Sequence, residues 1–426
     1  MEDTQRLHWI WLSLALGSEN RCAATLIETF GDASAVYRAD EDGLSCITDL
    51  STRTHCALLD KSLDMAISVL DLCEQDGIGI LTYADKGFPD VLRTIKAPPV
   101  LLYYRGRLPD LNRRFCAAMV GTRDMSEYGM HCAYKISYEL ATANALVVSG
   151  MARGIDSVCA AAALAAGGET VAILAGGVNA VYPKRHSALY EEICAHGAVM
   201  SEYPPSAPSL KHRFPERNRL ISGMCRATLV IEGNARSGAL ITAREALSEN
   251  RAVYALPADI GRAVAEGTNA LLEEGAKPLL CTRDVLKRFE SSYVNLAIKE
   301  LETLSPEKTK TDLAYLTQLG VLKSAQKQAR TRSDAKKETP CDKTAVSPKE
   351  VKTADAQAAP LSKALLSSLP PVQAQILLCI EKAGDAVSAD ALYALPFAYG
   401  EISAAMTQME IRHLIKRLPG SMIGRC

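Results

Sequence analysis

The sequence predicts an α/β protein built on a doubly wound parallel sheet, with a small helical domain before it and a winged helix after it. Three observations predict this. Short apolar runs alternate with helical stretches between residues 78 and 290. Residues 1–75 carry apolar positions at helical spacing, broken by Gly17 and Gly31. The last stretch, from Pro371 on, reads as three helices and a hairpin that follow a polar, cationic segment.

In residues 1–75 the helical signal is carried by Leu12, Leu14, Leu16, Ala23, Leu26, Ile27 and Phe30, then by Leu63, Ile67, Leu70 and Leu72 in an amphipathic stretch over 60–74. Residues 1–110 hold 10 Lys/Arg against 17 Asp/Glu. That acidic balance favours a structural or partner-docking role over helix–hairpin–helix DNA binding. From 76 to 290, strands are predicted at 78–83, 101–104, 116–120, 146–149, 170–174, 198–201, 228–231, 252–256 and 278–281. Helices fall between them, at 127–143, 155–166, 217–225, 239–248 and 269–274. Apolar strands separated by helices are the pattern of a parallel sheet covered on both faces.

After Phe289 the globular pattern fades, and residues 291–365 are expected to be a flexible linker. Its 323–352 portion carries nine Lys/Arg and four Asp/Glu with almost nothing apolar. Helices are predicted at 376–382, 389–394 and 402–414, followed by a turn at Leu418-Pro419-Gly420-Ser421 and a short strand. A winged helix over 366–426 fits this order, and a plain three-helix bundle is the alternative. The third helix carries Glu401 and Glu410 and turns basic only at Arg412, Lys416 and Arg417. A groove-reading face is not evident there.

The net charge of the 426 residues is −1, so any nucleic-acid site is a local patch. The 13 cysteines are scattered without a CxxC pair, which argues for reduced, mostly buried thiols and against a disulfide framework or structural zinc. No 18-residue apolar run and no basic-then-apolar leader is present, so a soluble, cytoplasmic protein is expected, without metal or cofactor.

The densest candidate patch is 203–226, where Lys211, Arg213, Arg217, Arg219 and Arg226 face one acid, Glu216, with Phe214 among them. Cations neutralise phosphates while a ring stacks on a base. A solvated basic loop with Phe214 as a hydrophobic staple is the structural alternative. Three glycine-containing loops follow predicted strands: Val120-Gly121-Thr122-Arg123, Ser149-Gly150-Met151-Ala152-Arg153-Gly154, and Ala175-Gly176-Gly177 leading to Tyr182-Pro183-Lys184. A fourth, Gly233 to Ala243, contains Arg236, Ser237, Gly238 and Thr242. Singly, each is ordinary β–α punctuation, and Ser237 is a plausible helix cap. Together, with Arg123, Arg153 and Lys184 nearby, they point to several phosphates at the carboxyl ends of the strands. Glu202 and Glu232, at strand ends, are expected in ion pairs with arginines rather than as a carboxylate pair. No GxGxxG with a following acid, no GxxxxGK[ST], no GxSxG and no HExxH is present, which argues against dinucleotide binding, P-loop ATPase, serine hydrolase and zincin chemistry.

Gly121-Thr-Arg123, Ser126-x-Tyr128-Gly129, Ser149-Gly-Met-Ala-x-Gly-Ile-Asp156, Tyr182-Pro183, Ser201-Glu202-Tyr203, Phe214-Pro-x-Arg-Asn-Arg219 and Ser237-Gly-x-x-x-Thr242-Ala243 occur in one order over residues 80–290. In these motifs the chain closely resembles the bacterial DNA-processing protein A (DprA/Smf) family. The resemblance implies an extended Rossmann-like domain flanked by a sterile-alpha-motif-like helical domain and a winged helix. It further implies a non-enzymatic, homodimeric single-stranded DNA-binding protein that protects incoming strands during natural transformation and loads RecA recombinase onto them. Carried over by motif, Arg123, Lys184, Lys211, Arg217 and Arg219 contact phosphates and Phe214 stacks on a base. Gly121, Ser149, Gly150, Ser237 and Gly238 form an amide-lined pocket, and Arg153, Asn218 and Thr242 complete the contact set. The chain departs from the family at Cys159-Ala160, where an Ala-His pair is frequent, at Asn179 in place of Asp, and at Ala258 in place of Gly. A Rossmann-like nucleotide hydrolase is the competing enzyme reading, although its Pro-Gly-Gly-x-Gly-Thr-x-x-Glu loop is absent at 232–242.

Overall fold

The computed structural model describes residues 2–264, 266–322, 369–382, 386–388, 414–418 and 422–425, with isolated positions between 392 and 409. The chain divides into two compact units, 1–338 and 339–426.

The first unit begins with six helices: α1 (Glu2–Leu16), α2 (Cys22–Phe30), α3 (Ala33–Arg38), α4 (Glu41–Ser45), α5 (Thr52–Leu59) and α6 (Asp64–Asp76). Part of the acidic excess is spent at their N-termini. Asp32 and Asp40 accept the amides of Ala35 and Gly43, and Ser51 does the same for Thr54. Such caps satisfy N–H groups that the first helical turn leaves unpaired. Most of the apolar stripe predicted from sequence packs around the fully buried Trp9, Leu12, Leu26 and Leu44, while Ile67 on α6 is exposed. That cluster continues into Ile78, Leu101 and Tyr103, so the helices share one core with the sheet rather than closing a separate one at residue 75.

The chain then runs β1 (Gly79–Thr82), α7 (Asp90–Arg93), β2 (Leu101–Gly106), β3 (Cys116–Val120), α8 (Glu127–Thr142), β4 (Leu146–Ser149), α9 (Ile155–Ala165), β5 (Thr170–Ile173), α10 (Ser187–His196) and β6 (Ala198–Ser201). It continues with α11 (Arg213–Gly223), β7 (Ala227–Val230), α12 (Gly238–Ser248), β8 (Ala252–Ala255), α13 (Glu266–Glu273), β9 (Lys277–Pro278) and α14 (Thr282–Lys287). The nine strands form one mixed sheet in the order β1-β2-β6-β5-β4-β3-β7-β8-β9. From β6 to β9 every pairing is parallel, and β1 and β2 add an antiparallel edge.

Alternation along the strands assigns the two faces. In β3, Ala117 and Met119 join the core under α8, α9 and α10, while Cys116, Ala118 and Val120 join the core under α11, α12 and α13. Ala133, Ala141 and the run Ala160–Ala163 let α8 and α9 lie close against the sheet. The winding direction reverses between β3 and β7, and this switch point opens a crevice at the carboxyl ends of the strands.

Residues 291–322 differ from the expected linker. They form a 3-10 turn (Ile298–Glu302) and α15 (Leu313–Gln318), and Ile298, Leu316, Leu319 and Val321 are buried in the core that α9 covers. Single helical turns joined by loops carry no sustained period, which hid this strap in the sequence. The rest of the expected linker, 323–365, lies outside the described residues.

In the second unit, α16 (Pro371–Lys382) starts on a proline, and Ile376, Leu377 and Ile380 pack on Val387, Ile415 and Ile423. Strands β10 (Ala386–Ser388), β11 (Ile415–Leu418) and β12 (Met422–Arg425) form an antiparallel sheet in the order β10-β12-β11. Strand β10 was not anticipated, and Lys416 and Arg417 lie in β11 rather than at the end of a helix. Most of the helices expected at 389–394 and 402–414 falls outside the described residues.

The shared core makes a test of the first unit direct. Trp9→Ala removes a wholly enclosed indole and is expected to cost about 3–5 kcal/mol in urea unfolding, with the sheet and the N-terminal helices unfolding together.

Candidate nucleic-acid interface

At the switch point lies a cleft of about 620 Å³. One wall is the loop after β3, Gly121 to Arg123, and the opposite wall is Asn234, Arg236 and the start of α12 with Ser237, Gly238 and Thr242. Lys211 and the face of α11 bearing Phe214, Arg217, Asn218 and Ile221 close it, together with Tyr182.

Phe214 is half-buried and carries Arg123 over its ring, 5.0 Å from the centroid to the guanidinium carbon. Tyr182 meets it edge to face at 5.6 Å and 65°. Arg123, Lys211 and Arg236 are exposed, and none of the three forms an ion pair among the described residues. Ser237 caps α12, its Oγ accepting the amide of Ala239 at 3.3 Å. A Cβ at Gly238 would meet nothing within 4 Å, so open space lies above the helix start, where amides and the helix dipole favour an anion.

Arg217 forms the floor. It is 3% exposed and donates to the carbonyls of Gly150, at 3.0 Å, and Ile173. Burial lowers it to about 10, which leaves it charged at neutral pH, with Asp156 and Arg123 as its strongest charged neighbours. Asp156 accepts the amide of Gly150 at 3.1 Å; burial raises its carboxyl, against the pull of Arg217. Gly150 has to be glycine, because a Cβ there would sit 2.4 Å from the Arg217 guanidinium. Gly154 lies at φ +91 with Thr122 O 2.3 Å from its missing Cβ, so it lets the first two loops touch.

Of the residues singled out from sequence, Gly121, Arg123, Lys211, Phe214, Arg217, Asn218, Ser237, Gly238 and Thr242 line this cleft. Ser149, Gly150, Arg153, Lys184 and Arg219 are placed elsewhere. Ser149 is wholly buried, its hydroxyl turned to Asp156 O, and Gly150 is buried above Arg217, so both shape the loop instead of facing a ligand. Arg153 pairs with Asp124 on the exposed surface, and Lys184 is exposed beyond Tyr182. Arg219 lies on the opposite side of α11, bonded to Ala97 O at 2.7 Å and to Glu202. Two positions along a helix turn the side chain by about 200°, which separates Arg219 from Arg217, whereas Phe214, Asn218 and Ile221 share a face. Gly121 is needed first for packing, since a Cβ would strike Ile155 at 2.6 Å.

The expected pairing of Glu202 with an arginine is present. Glu232 instead accepts the amide and hydroxyl of Ser126, tying β7 to the start of α8. Cys159 is buried in α9, away from the cleft. Arg236, Asn234 and Tyr182 were not assigned from sequence. Arg236 carries the same signal that selected Arg123, a cation beside a glycine at a strand end, and Tyr182 stood out only as part of a motif. Among the described residues, no group of three His, Cys, Asp or Glu is placed to hold a metal, and no helix is long and apolar enough to cross a membrane.

The fold and this cleft define a doubly wound α/β protein with a cation-lined crevice at its switch point. Residues 79–290 match the family DNA recombination-mediator protein A. The DNA processing protein DprA of Streptococcus pneumoniae (strain ATCC BAA-255 / R6) is 40% identical over 206 residues, spanning 48% of this chain and 72% of its own. DprA of Bacillus subtilis (strain 168) is 33% identical over 226 residues, spanning 53% and 76%. The X-ray structure of DNA processing protein A from Streptococcus pneumoniae superimposes with a TM-score of 0.57 at 30% identity, covering 66% of this chain and 97% of that one. The chain belongs to the DNA recombination-mediator protein A family.

Gly150→Ala is expected to lower the melting temperature sharply by displacing Arg217, while Gly238→Ala leaves it unchanged; differential scanning fluorimetry separates the two. Burial also pushes Glu202 up to about 6 and Glu245 up to about 7. Each binds its proton more tightly folded than unfolded, so its contribution is full at low pH and is lost as pH rises through 6 to 7. His186, which burial pushes down to about 4, acts in the opposite direction, so the check is a difference: from pH 8 to pH 5.5 the native chain should gain more in melting temperature than Glu245→Gln does.

Proposed function

We propose that the cleft binds single-stranded DNA and leaves it chemically unchanged. The observation that carries this is the meeting of three cations that form no ion pair among the described residues, Arg123, Lys211 and Arg236, with the ring of Phe214 in one open cleft. Cations on a backbone path and a ring for the bases form a sequence-tolerant single-strand site. The acid in the lining, Asp156, is committed to the Gly150 amide and shielded by burial, which supports binding over catalysis. Family membership extends the proposal to a homodimer that protects strands entering during natural transformation and delivers them to RecA recombinase.

Binding of labelled oligo-dT and of the matching duplex, followed over a salt titration, tests this reading. Three neutralised phosphates predict a log–log salt slope of about −2 for the single strand, at about −0.7 each. Phe214→Ala is expected to weaken oligo-dT binding by about 1–3 kcal/mol, and Arg123→Ala with Arg236→Ala to flatten the slope. Stronger duplex than single-strand binding would move the activity to the second unit. No binding to either, with base released from nucleoside monophosphates, would favour a nucleotide hydrolase.

A further inference from the structure

Tyr182 stands apart from the other aromatic side chains near the cleft. It lines the cleft, stays 50% exposed, and its hydroxyl makes no hydrogen bond among the described residues. The backbone around it is firmly held. Val181 packs on the core, the Tyr190 hydroxyl donates to Val178 O at 2.8 Å, and the buried His186 sits 3.1 Å from Met151 O. The ring is thus half exposed on an anchored stretch of backbone, with an uncommitted hydroxyl. Its neighbour Phe214 carries the Arg123 guanidinium over its ring, 5.0 Å from the centroid.

We propose that Tyr182 is a second stacking platform, holding the base next to the one on Phe214, and that the 65° between the two rings makes the cleft select strands whose successive bases are unstacked. This rests on the single-strand reading above and deepens it. Bases lying on rings inclined at that angle cannot lie parallel to each other, so the bound strand gives up one base–base stack. Thymine runs, which stack weakly, give up little; adenine runs give up more. The purine's better contact with each ring acts in the opposite direction, and pyrimidine preference at such sites reflects weak stacking and backbone flexibility. A duplex would have to break pairs to reach the same geometry.

The test compares oligo-dT with oligo-dA of equal length by fluorescence anisotropy, on the full chain and on Tyr182→Phe, Tyr182→Leu and Phe214→Ala. Leucine keeps bulk against Phe214 without a ring, and matched melting temperatures establish that each variant folds. The native chain is expected to prefer oligo-dT. Tyr182→Leu should weaken oligo-dT binding on the order of tenfold and narrow the preference, and Tyr182→Phe should retain both. Native-like oligo-dT binding by Tyr182→Leu alongside a weakened Phe214→Ala would overturn the second platform and leave the single-strand reading standing. An unchanged dT-to-dA ratio in Tyr182→Leu would overturn the selection. Absence of oligo-dT binding by the native chain would remove the underlying reading, and this inference with it.

Discussion

A buried cation holds the cleft together: Arg217, on α11, reaches the carbonyls of Gly150 at the end of β4 and Ile173 at the end of β5. An isolated guanidinium would be costly to bury. Two carbonyl acceptors and the nearby Asp156 carboxylate offset much of that cost, and Asp156 is in turn held by the Gly150 amide. The loop after β4, the end of β5 and α11 are thereby locked into one arrangement. Phe214 and Asn218 take their places because they share α11 with Arg217. Gly150 is conformationally ordinary but sterically required, since any side chain there would occupy the guanidinium's place.

The opposite side of α11 is anchored just as firmly. Glu216 accepts the Ser18 hydroxyl at 2.8 Å and the Tyr203 hydroxyl at 2.7 Å, and Arg219 joins Glu202 to Ala97 O. The N-terminal helices therefore bear on the helix that lines the cleft, and their shared core with β2 makes the contact part of the fold. The cations of α11 itself, Arg213, Arg217 and Arg219, all bond to protein acceptors, whereas Lys211, which forms no ion pair among the described residues, lies just before the helix.

Much of this was legible in the sequence. Strands β3, β4 and β6 fall at the predicted residues because each is a short, fully buried apolar run bounded by turn residues, the clearest signal a parallel sheet gives. The switch-point loops were found through their glycines, although Gly121 and Gly150 serve packing first. The sequence read Lys211 to Arg219 as one patch; helical geometry divides it, and Arg219 and Arg217 part company. The 291–322 strap was missed because its anchors Ile298, Leu316, Leu319 and Val321 have no period. Arg236 and Tyr182 were passed over because neither lies in the densest basic segment, and only the fold brings them to Phe214 and Arg123.

Hydrogen–deuterium exchange of the full chain with and without oligo-dT tests the central claim most directly. The account predicts new protection in the loop after β3, in residues 211–218 and at the start of α12, around the cleft built on Arg217. Protection confined to residues 371–425, with those three segments exchanging as in the free protein, would contradict it.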